Sequence, residues 1–340
     1  MKRELSVVAS RLINRGILAA DESPATLDKR FQARNIPQNP ETRRQWRQLL
    51  FTSFSKSTKT NLSGVILQAE TLTQKTDLGD QSLVELLTTA KIIPGIKVDL
   101  GTQALSADSP ELVTGGIVDL EDRLRLYLSE APALQFAKWR AVIKIDPAKH
   151  LPSNECLALN SRLLSRYAQI CQSHGLLPIL EPEVVRDGKH TIEQCAETTR
   201  RTLLNLFYQL RQDEVDLTRI LLKINMIVPG KEFSQPVEDE LIAQRTLEVL
   251  RETVPFQVPG IVFLSGGQTP DEATLRLNAI AQADQKNISP WRLSFSFARA
   301  LQDEAMDTWS GESGNVLAAQ AAFEHRLNLV SAASNGTLSV

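Results

Sequence analysis

Short runs of apolar and β-branched residues recur along the chain, each bounded by glycine, proline or polar residues. Strands that are covered on both faces lose the alternation of period two and form such continuous runs. Between them lie longer segments with apolar residues at helical spacing, such as SRLLSRYAQICQSHG from Ser161 and AQRTLEVLRETV from Ala243. The eight predicted strands are GILAAD from Gly16, GVILQ from Gly64, IPGIKVD from Ile93, AKWRAVIKI from Ala137, LPILEPEV from Leu177, ILLKINMI from Ile220, GIVFLSG from Gly260 and RLSFSF from Arg292.

The repeated alternation of strand and helix decides the predicted fold class. Eight parallel strands with helices outside are the number that closes a barrel, so we predict an α/β protein with a single (β/α)8 TIM barrel. A doubly wound open sheet is the alternative, and the lack of a GxGxxG motif after the first run weakens it. No low-complexity linker or break in composition divides the chain, so we expect one domain over residues 1–340.

The two ends of the chain lie outside this eightfold pattern. From about Gly311 the sequence predicts a C-terminal helix through AAQAAFEHRL, and the small and polar residues SAASNGTLSV predict a flexible tail over residues 331–340. Near the start, apolar residues fall at helical spacing and predict an N-terminal helix. They are Leu5, Val8, Ala9, Leu12 and Ile13.

Composition argues against several classes of protein. With 42% hydrophobic and 23% charged residues the chain lies in the ordinary range for soluble globular proteins, and no apolar run approaches the length of a membrane span. The 38 basic and 40 acidic side chains nearly cancel, so we expect neither nucleic acid nor a membrane as a partner. The three cysteines are far apart and the four histidines show no HxH or HExxH spacing. We therefore expect a reducing compartment and neither a metal nor another cofactor.

Charged residues interrupt the predicted strands. Burying an unpaired charge is costly, so each of these side chains needs an opposite partner or a shared cavity. Structural ion pairs between barrel layers would explain any one of them. As a set they favour a catalytic cleft, because charges from several strands meet at the C-terminal end of a barrel, where barrel active sites are built. The residues are Asp21, Lys97, Lys138, Arg140, Glu181, Glu183 and Lys223.

Lys223 lies in the middle of the apolar run LLKINM. Desolvation of its ammonium group, together with neighbouring cations such as Lys138 and Arg140, would favour the neutral amine. A neutral amine can attack a ketone to give an imine, whose protonated form withdraws electrons from the adjacent carbon and so replaces a metal ion. Glu181 and Asp21 are then candidates for proton transfer with the hydroxyl groups of the substrate.

Two groups of small and basic residues follow predicted strands and indicate phosphate binding. Backbone N–H groups of a glycine turn can approach an anion, serine and arginine add donors, and the loops after the seventh and eighth strands of barrels commonly bind phosphate. A tight turn would also explain the glycines, and a helix N-cap with solvated charges would explain the second group. The first group is Ser265, Gly266, Gly267, Ser296 and Arg299, and the second is Ser23, Thr26, Lys29, Arg30 and Lys97.

Nine stretches of the chain match a known family in order and spacing. They are GILAADES, RRQWRQLL, GVILQAETL, PGIKVDLG, FAKWRAVIKI, LPILEPEV, LLKINM with VPG after it, GIVFLSGGQ and WRLSFSFARALQ. With them the chain resembles, over nearly its whole length, the metal-independent class I fructose-1,6-bisphosphate aldolases. The resemblance implies a (β/α)8 barrel and reversible cleavage of fructose 1,6-bisphosphate to dihydroxyacetone phosphate and glyceraldehyde 3-phosphate, in glycolysis and gluconeogenesis or the Calvin cycle.

The resemblance also implies roles for the charged residues. Lys223 is similar to the lysine that forms a Schiff base with the C2 ketone. Glu181 is similar to the carboxylate that assists formation and dehydration of the carbinolamine, with Glu183 close behind it in the same strand. Asp21 resembles the acid near the C4 hydroxyl, and Lys138 resembles the lysine that supplies positive charge beside these carboxylates.

The remaining residues implied by the resemblance bind the substrate. Arg140 is similar to the arginine that orients the substrate chain. Pro24 and Ala298, which lie beside the two phosphate sites, stand where the family usually has other residues. The residues that resemble the C1-phosphate site are Ser265, Gly266, Gly267, Ser296, Ala298 and Arg299, and those similar to the C6-phosphate ligands are Ser23, Thr26 and Lys97.

Several alternatives to this function stay open. A related lysine-imine aldolase would prefer sedoheptulose 1,7-bisphosphate or fructose 1-phosphate, since one phosphate or methylene of difference changes binding modestly. A scaffold protein without activity would have lost the charged set, and a metal-dependent phosphosugar lyase would need another histidine spacing. The resemblance implies a homo-oligomer, commonly a tetramer. We expect a cytoplasmic protein, or one in the plastid stroma if a transit peptide has been removed.

Overall fold

A closed barrel of parallel strands dominates the computed structural model, which describes residues 4–53, 61–77, 79 and 81–339. Each of the eight predicted strands is present in it, so the predicted (β/α)8 barrel is confirmed. The ten strands are β1 (Gly16–Ala20), β2 (Leu62–Leu67), β3 (Ile93–Lys97), β4 (Thr102–Ala104), β5 (Leu112–Thr114), β6 (Phe136–Ile143), β7 (Leu177–Val184), β8 (Leu221–Ile224), β9 (Gly260–Phe263) and β10 (Arg292–Phe297).

The barrel closes in the order β1, β10, β9, β8, β7, β6, β3 and β2, with parallel pairing throughout. Its register sets charged residues side by side, since Lys97 pairs with Lys138 and Arg140 pairs with Glu181. Because successive residues of a strand point to opposite faces, alternate positions share the inside of the barrel.

Helices surround the barrel in the described part of the chain. Local sequence sets their first turns: Thr191 and Thr269 each form a capping box, with Gln194 and Glu272 respectively. The helices are α1 (Leu5–Leu12), α2 (Pro24–Gln32), α3 (Pro40–Thr52), α4 (Leu83–Thr89), α5 (Leu120–Glu130), α6 (Asn154–Ser173), α7 (Ile192–Gln212), α8 (Asp239–Thr253), α9 (Pro270–Lys286), α10 (Arg299–Trp309) and α11 (Val316–Ser334). Among the described residues, none of the helices combines the length and the apolar composition of a membrane span.

The N-terminal helix α1 packs against the N-terminal ends of the barrel strands, and the five apolar residues that predicted it are all buried. They form one cluster with inward residues of the strands, including Ile17, Ile93 and Phe136. The helix comes so close that a Cβ atom at Gly64 would lie 2.6 Å from Leu12, and one at Gly260 would lie 2.1 Å from Ile13. This end of the barrel is therefore a packed apolar core.

Two features differ from the sequence prediction. Strands β4 and β5 form an antiparallel hairpin that was not predicted, because strands of three residues are too short to form a recognisable apolar run. The predicted flexible tail over 331–340 is helical as far as Ser334, since Ala333 is buried and extends the apolar side of α11. Beyond the helix, the N–H of Leu338 donates to Asn278 of α9 at 3.2 Å.

Candidate active site

A cleft of about 510 Å³ opens at the C-terminal end of the barrel strands. Its position follows from the strands, since Asp21 directly follows β1, Lys97 ends β3 and Ala298 directly follows β10. The structure thus brings together most of the residues singled out in the sequence. The predicted site residues that line the cleft are Asp21, Ser23, Thr26, Lys97, Lys138, Arg140, Glu181, Lys223 and Ala298.

Glu181 links two buried lysines within this cleft. Its Oε1 atom lies 3.1 Å from Nζ of Lys223, and its Oε2 atom lies 3.1 Å from Nζ of Lys138. Nζ of Lys138 also lies 2.7 Å from Oδ2 of Asp21. The Oε2 atom of Glu181, although within ion-pair distance of Lys138, has no hydrogen-bond partner of good geometry among the described residues. Asp21, Lys138, Glu181 and Lys223 thus form one buried cluster of charges. Within it, Oε2 of Glu181 can still accept a proton or a hydrogen bond from a substrate.

The charges of this cluster shift the pKa values of three of its members. Burial raises the pKa of Asp21, but the Lys138 and Lys223 ammonium groups outweigh burial and hold that pKa below its ordinary value. The pKa of Glu181 is lowered in the same way, since the attraction of Lys138 and Lys223 exceeds the effect of burial. For Lys138, burial lowers the pKa, but Asp21 and Glu181 raise it well above its usual range. Both carboxylates are therefore ionised and Lys138 is charged at neutral pH.

The surroundings of Lys223 differ from the expectation that neighbouring cations favour its neutral form. The carboxylate of Glu181 lies between Lys223 and Lys138 and contacts both. Lys223 keeps its burial, with 5% of its side chain exposed, but it has an anion as its nearest charged neighbour.

Arg140 and Lys97 each bind a carboxylate at the edge of this charged cluster. Nε of Arg140 forms an ion pair with Glu183, which is buried but does not line the cleft itself. Nζ of Lys97 lies 2.8 Å from Oδ1 of Asp99 and donates to the Asp99 carbonyl at 2.9 Å. Asp99 also accepts from the backbone N–H of Arg140 at 3.3 Å. These pairs keep two cations at the cleft while leaving the guanidinium of Arg140 partly exposed.

The loop after β1 contributes two hydroxyl groups to the cleft. Ser23 is the N-cap of α2, where its Oγ accepts from the N–H of Thr26 at 3.3 Å and lies 3.0 Å from the Thr26 hydroxyl. Pro24 occupies the first turn of the helix, a position that suits its fixed φ and missing N–H. The N-cap alternative is thus correct for Ser23, and both hydroxyls nevertheless line the cleft with Lys97.

The glycine turn after β9 forms a separate part of the site. Gly266 and Gly267 have positive φ values of 54° and 76°, which favour glycine. A Cβ atom at Gly267 would lie 3.8 Å from Nη2 of Arg299, so the guanidinium stands over the turn. The hydroxyl of Ser296, on neighbouring β10, is buried without a hydrogen-bond partner in the described residues. Of these predicted phosphate residues, Ala298 alone lines the cleft at Lys223, and its φ of −104° requires no left-handed backbone.

Four charged or polar residues of the cleft were not predicted from the sequence. Glu22, Gln68, Asp99 and Thr102 all line it among the described residues. Asp99 stands two positions after Lys97, so strand alternation was the signal that could have found it. No group of three histidine, cysteine or acidic residues in the described chain is arranged to hold a metal ion.

The fold and this cleft together define a (β/α)8-barrel enzyme with a buried lysine held by carboxylates at its catalytic end. The sequence profile of the family described as "Fructose-bisphosphate aldolase class-I" matches residues 4–340. The chain therefore belongs to the class I fructose-bisphosphate aldolase family, and it is a lyase.

Individual relatives agree with this assignment. The cytosolic fructose-bisphosphate aldolase 4 of Arabidopsis thaliana is 45% identical over 95% of this chain and 80% of its own length. The non-muscle aldolase of Lethenteron camtschaticum is 42% identical over 98% of this chain and 90% of its own. Among solved structures, the fructose-bisphosphate aldolase of Plasmodium falciparum in complex with TRAP and an inhibitor superposes with a TM-score of 0.94, at 39% identity, over 99% of this chain and 95% of its own.

Proposed function

We propose that this chain cleaves fructose 1,6-bisphosphate reversibly through an imine on Lys223. The observation that carries the proposal is the contact of 3.1 Å between the buried Lys223 amine and Glu181. Transfer of the ammonium proton to this carboxylate frees the amine to attack the C2 ketone. The resulting carbinolamine loses water as Glu181 returns the proton, and a protonated imine remains.

Cleavage of the C3–C4 bond then needs a base near the C4 hydroxyl, and we assign this role to Asp21. Its lowered pKa keeps the carboxylate ionised, and its contact with Lys138 places a positive charge where the hydroxyl would lie. As Asp21 takes the hydroxyl proton, the bonding electrons pass into the imine and glyceraldehyde 3-phosphate leaves. Protonation of the enamine carbon and hydrolysis of the imine release dihydroxyacetone phosphate and regenerate Lys223.

The two ends of the substrate are assigned to the two ends of the site. We propose that the turn at Gly266 and Gly267, with Ser265, Ser296 and Arg299, binds the C1 phosphate. The support is the positive-φ turn under the Arg299 guanidinium and the unpartnered Ser296 hydroxyl. For the C6 phosphate we propose Ser23, Thr26 and Lys97, which line the cleft across from Lys223. Arg140, paired with Glu183, would orient the carbon chain of the substrate between the two phosphates.

Location and assembly are also proposals. The Arabidopsis relatives are named cytosolic, which supports a cytoplasmic place for this chain. A homo-tetramer is proposed on the family resemblance alone, and light scattering of the purified protein would test it.

Direct assay of the reaction tests the proposed function. Purified protein, dialysed against a chelator, should convert fructose 1,6-bisphosphate to the two triose phosphates at an undiminished rate. Parallel measurements of kcat/KM with sedoheptulose 1,7-bisphosphate and fructose 1-phosphate would decide the substrate preference. A higher value for either of these, or loss of activity in the chelator, would contradict the proposal.

A further inference from the structure

The glycine turn at Ser265–Gly267 is stabilised by the side chain of Gln268, which does not line the cleft. The carbonyl oxygen of Ser265 accepts two hydrogen bonds from Gln268, one from its backbone N–H at 3.0 Å and one from its Nε2 at 2.9 Å. The same Nε2 lies 3.7 Å from Sδ of Met226, which follows β8. Gln268 is buried, so it ties the turn after β9 to the strand end that follows Lys223.

Arg276 of α9 fixes which way the Gln268 amide points. Its Nη1 donates to Oε1 of Gln268 at 2.8 Å, while Nε bonds to Asp239 of α8 at 3.0 Å and Nη2 bonds to Glu272 at 3.2 Å. A guanidinium has donors and no acceptors, so it can accommodate only the carbonyl end of the amide. The NH2 end is therefore directed at the Ser265 carbonyl.

Holding this carbonyl also orients the next N–H group. The peptide between Ser265 and Gly266 is planar and trans, so its C=O and N–H point in opposite directions. With the carbonyl turned toward Gln268, the Gly266 N–H points away from it. The structure records no acceptor for this N–H among the residues it describes. A donor fixed in this way, beside Arg299 at Gly267, is suited to an anionic oxygen.

We propose that Arg276 and Gln268 are positioning residues that preset the Ser265–Gly267 turn for the phosphate of the ketone substrate. The inference rests on the proposed function, in which this turn binds the C1 phosphate. Arg276 would act through Gln268 and touch no substrate atom, so its removal should weaken phosphate recognition without impairing imine formation itself.

Two substitutions interrupt the network at different places. Gln268→Glu keeps the contact with Arg276 but sets a carboxylate oxygen, instead of an amide donor, against the Ser265 carbonyl. Arg276→Met removes the group that orients the amide. The matched control is Arg251→Met, because Arg251 pairs α8 with Asp284 of α9 at the other end of the same two helices, at 3.2 Å.

The readout separates phosphate recognition from imine chemistry. Borohydride trapping of the imine on Lys223 is measured with dihydroxyacetone phosphate and with dihydroxyacetone, which lacks the phosphate. In both network variants, the concentration of the phosphate ester that gives half-maximal trapping should rise about tenfold, the effect of losing one strong hydrogen bond. Trapping with dihydroxyacetone should be unchanged, and the control should match the unsubstituted protein with both ketones.

Other outcomes would overturn the inference. An equal loss with both ketones would show that the network serves general folding, and no loss with either would show that it does not position the turn. If the unsubstituted protein forms no adduct on Lys223 with either ketone, the proposed function itself fails and this role falls with it. Adduct formation on Lys223 of the unsubstituted protein therefore distinguishes the two failures.

Discussion

The two ends of the barrel are built from the same strands but have opposite character. At the N-terminal end, inward residues such as Ile17, Ile93 and Phe136 form a closed apolar cluster with helix α1. At the C-terminal end, two positions further along β6, Lys138 replaces Phe136 on the inner face and contacts Asp21 and Glu181. Adjacent layers of one barrel thus separate stability from chemistry, and substitutions at the two ends should have separable effects.

Lys223→Arg should produce the largest effect, at the charged end. Arginine keeps the positive charge beside Glu181 but cannot supply a neutral amine, so imine formation is lost. We expect kcat for fructose 1,6-bisphosphate to fall by at least about a thousandfold, the scale of losing a nucleophile. The melting temperature should change little. Steady-state kinetics with thermal denaturation checks both, and activity within tenfold of the original would contradict the assignment.

Leu12→Ala should produce the converse result at the apolar end. Leu12 is fully buried against the barrel strands, so its truncation leaves a cavity and lowers the free energy of unfolding by about 2 to 5 kcal/mol. The kcat of the folded enzyme should be unaffected. Val7→Ala is the matched control, since Val7 lies on the same helix with 49% exposure and should cost less than about 0.5 kcal/mol. Denaturant unfolding measures the difference, and a fall in kcat for Leu12→Ala would show that the two ends are coupled.

The pH dependence of the free energy of unfolding should reflect the ionisation of the buried charged cluster. The pKa values of Asp21 and Glu181 are lowered in the folded protein, so their contribution is present above the unfolded values of about 4 and is lost as the pH falls through the folded values. Lys138→Met removes the cation that lowers both. In this variant burial raises the folded pKa values of both carboxylates back toward the unfolded values, so the acid-induced loss of unfolding free energy should be smaller. Denaturant titrations between pH 3 and pH 7 compare the two proteins, and identical acid profiles would contradict the account.

Lys97→Met should have the smallest effect. It distinguishes two roles of Lys97 at the charged end, binding of the C6 phosphate and holding of Asp99. If Lys97 binds the C6 phosphate, the KM for fructose 1,6-bisphosphate should rise about tenfold, as expected for one hydrogen bond to a charged group. The KM for fructose 1-phosphate, which lacks that phosphate, should stay the same. An equal rise for both substrates would instead assign Lys97 to holding Asp99, which it contacts at 2.8 Å.

The sequence predicted the barrel well because its strands are covered on both faces. Each such strand forms a continuous apolar run, and the charges that interrupt the runs marked the catalytic end. The hairpin of β4 and β5 could not be found in this way, since its strands are only three residues long and β4 is exposed throughout. The end of α11 was placed too early because buried small residues such as Ala333 resemble those of a loose tail.

Contacts between distant parts of the chain were the least predictable part of the site. The motif GIVFLSGGQ marked the glycine turn, but nothing in the sequence showed that Arg276 reaches Gln268 from α9. Likewise the charges of Lys138 and Lys223 suggested mutual repulsion, whereas the structure sets Glu181 between them. Strand alternation can indicate which face a residue occupies, but the partner it meets there depends on barrel register and side-chain conformation.

The central claim is that Lys223 carries the chemistry at the charged end, although Lys97 and Lys138 line the same cleft. The most direct test is borohydride reduction in the presence of dihydroxyacetone phosphate and a chelator, followed by peptide mass spectrometry of all three lysines. We predict a single triose-phosphate adduct, on Lys223. An adduct on Lys97 or Lys138 instead, or no adduct on any lysine of the folded protein, would contradict the account.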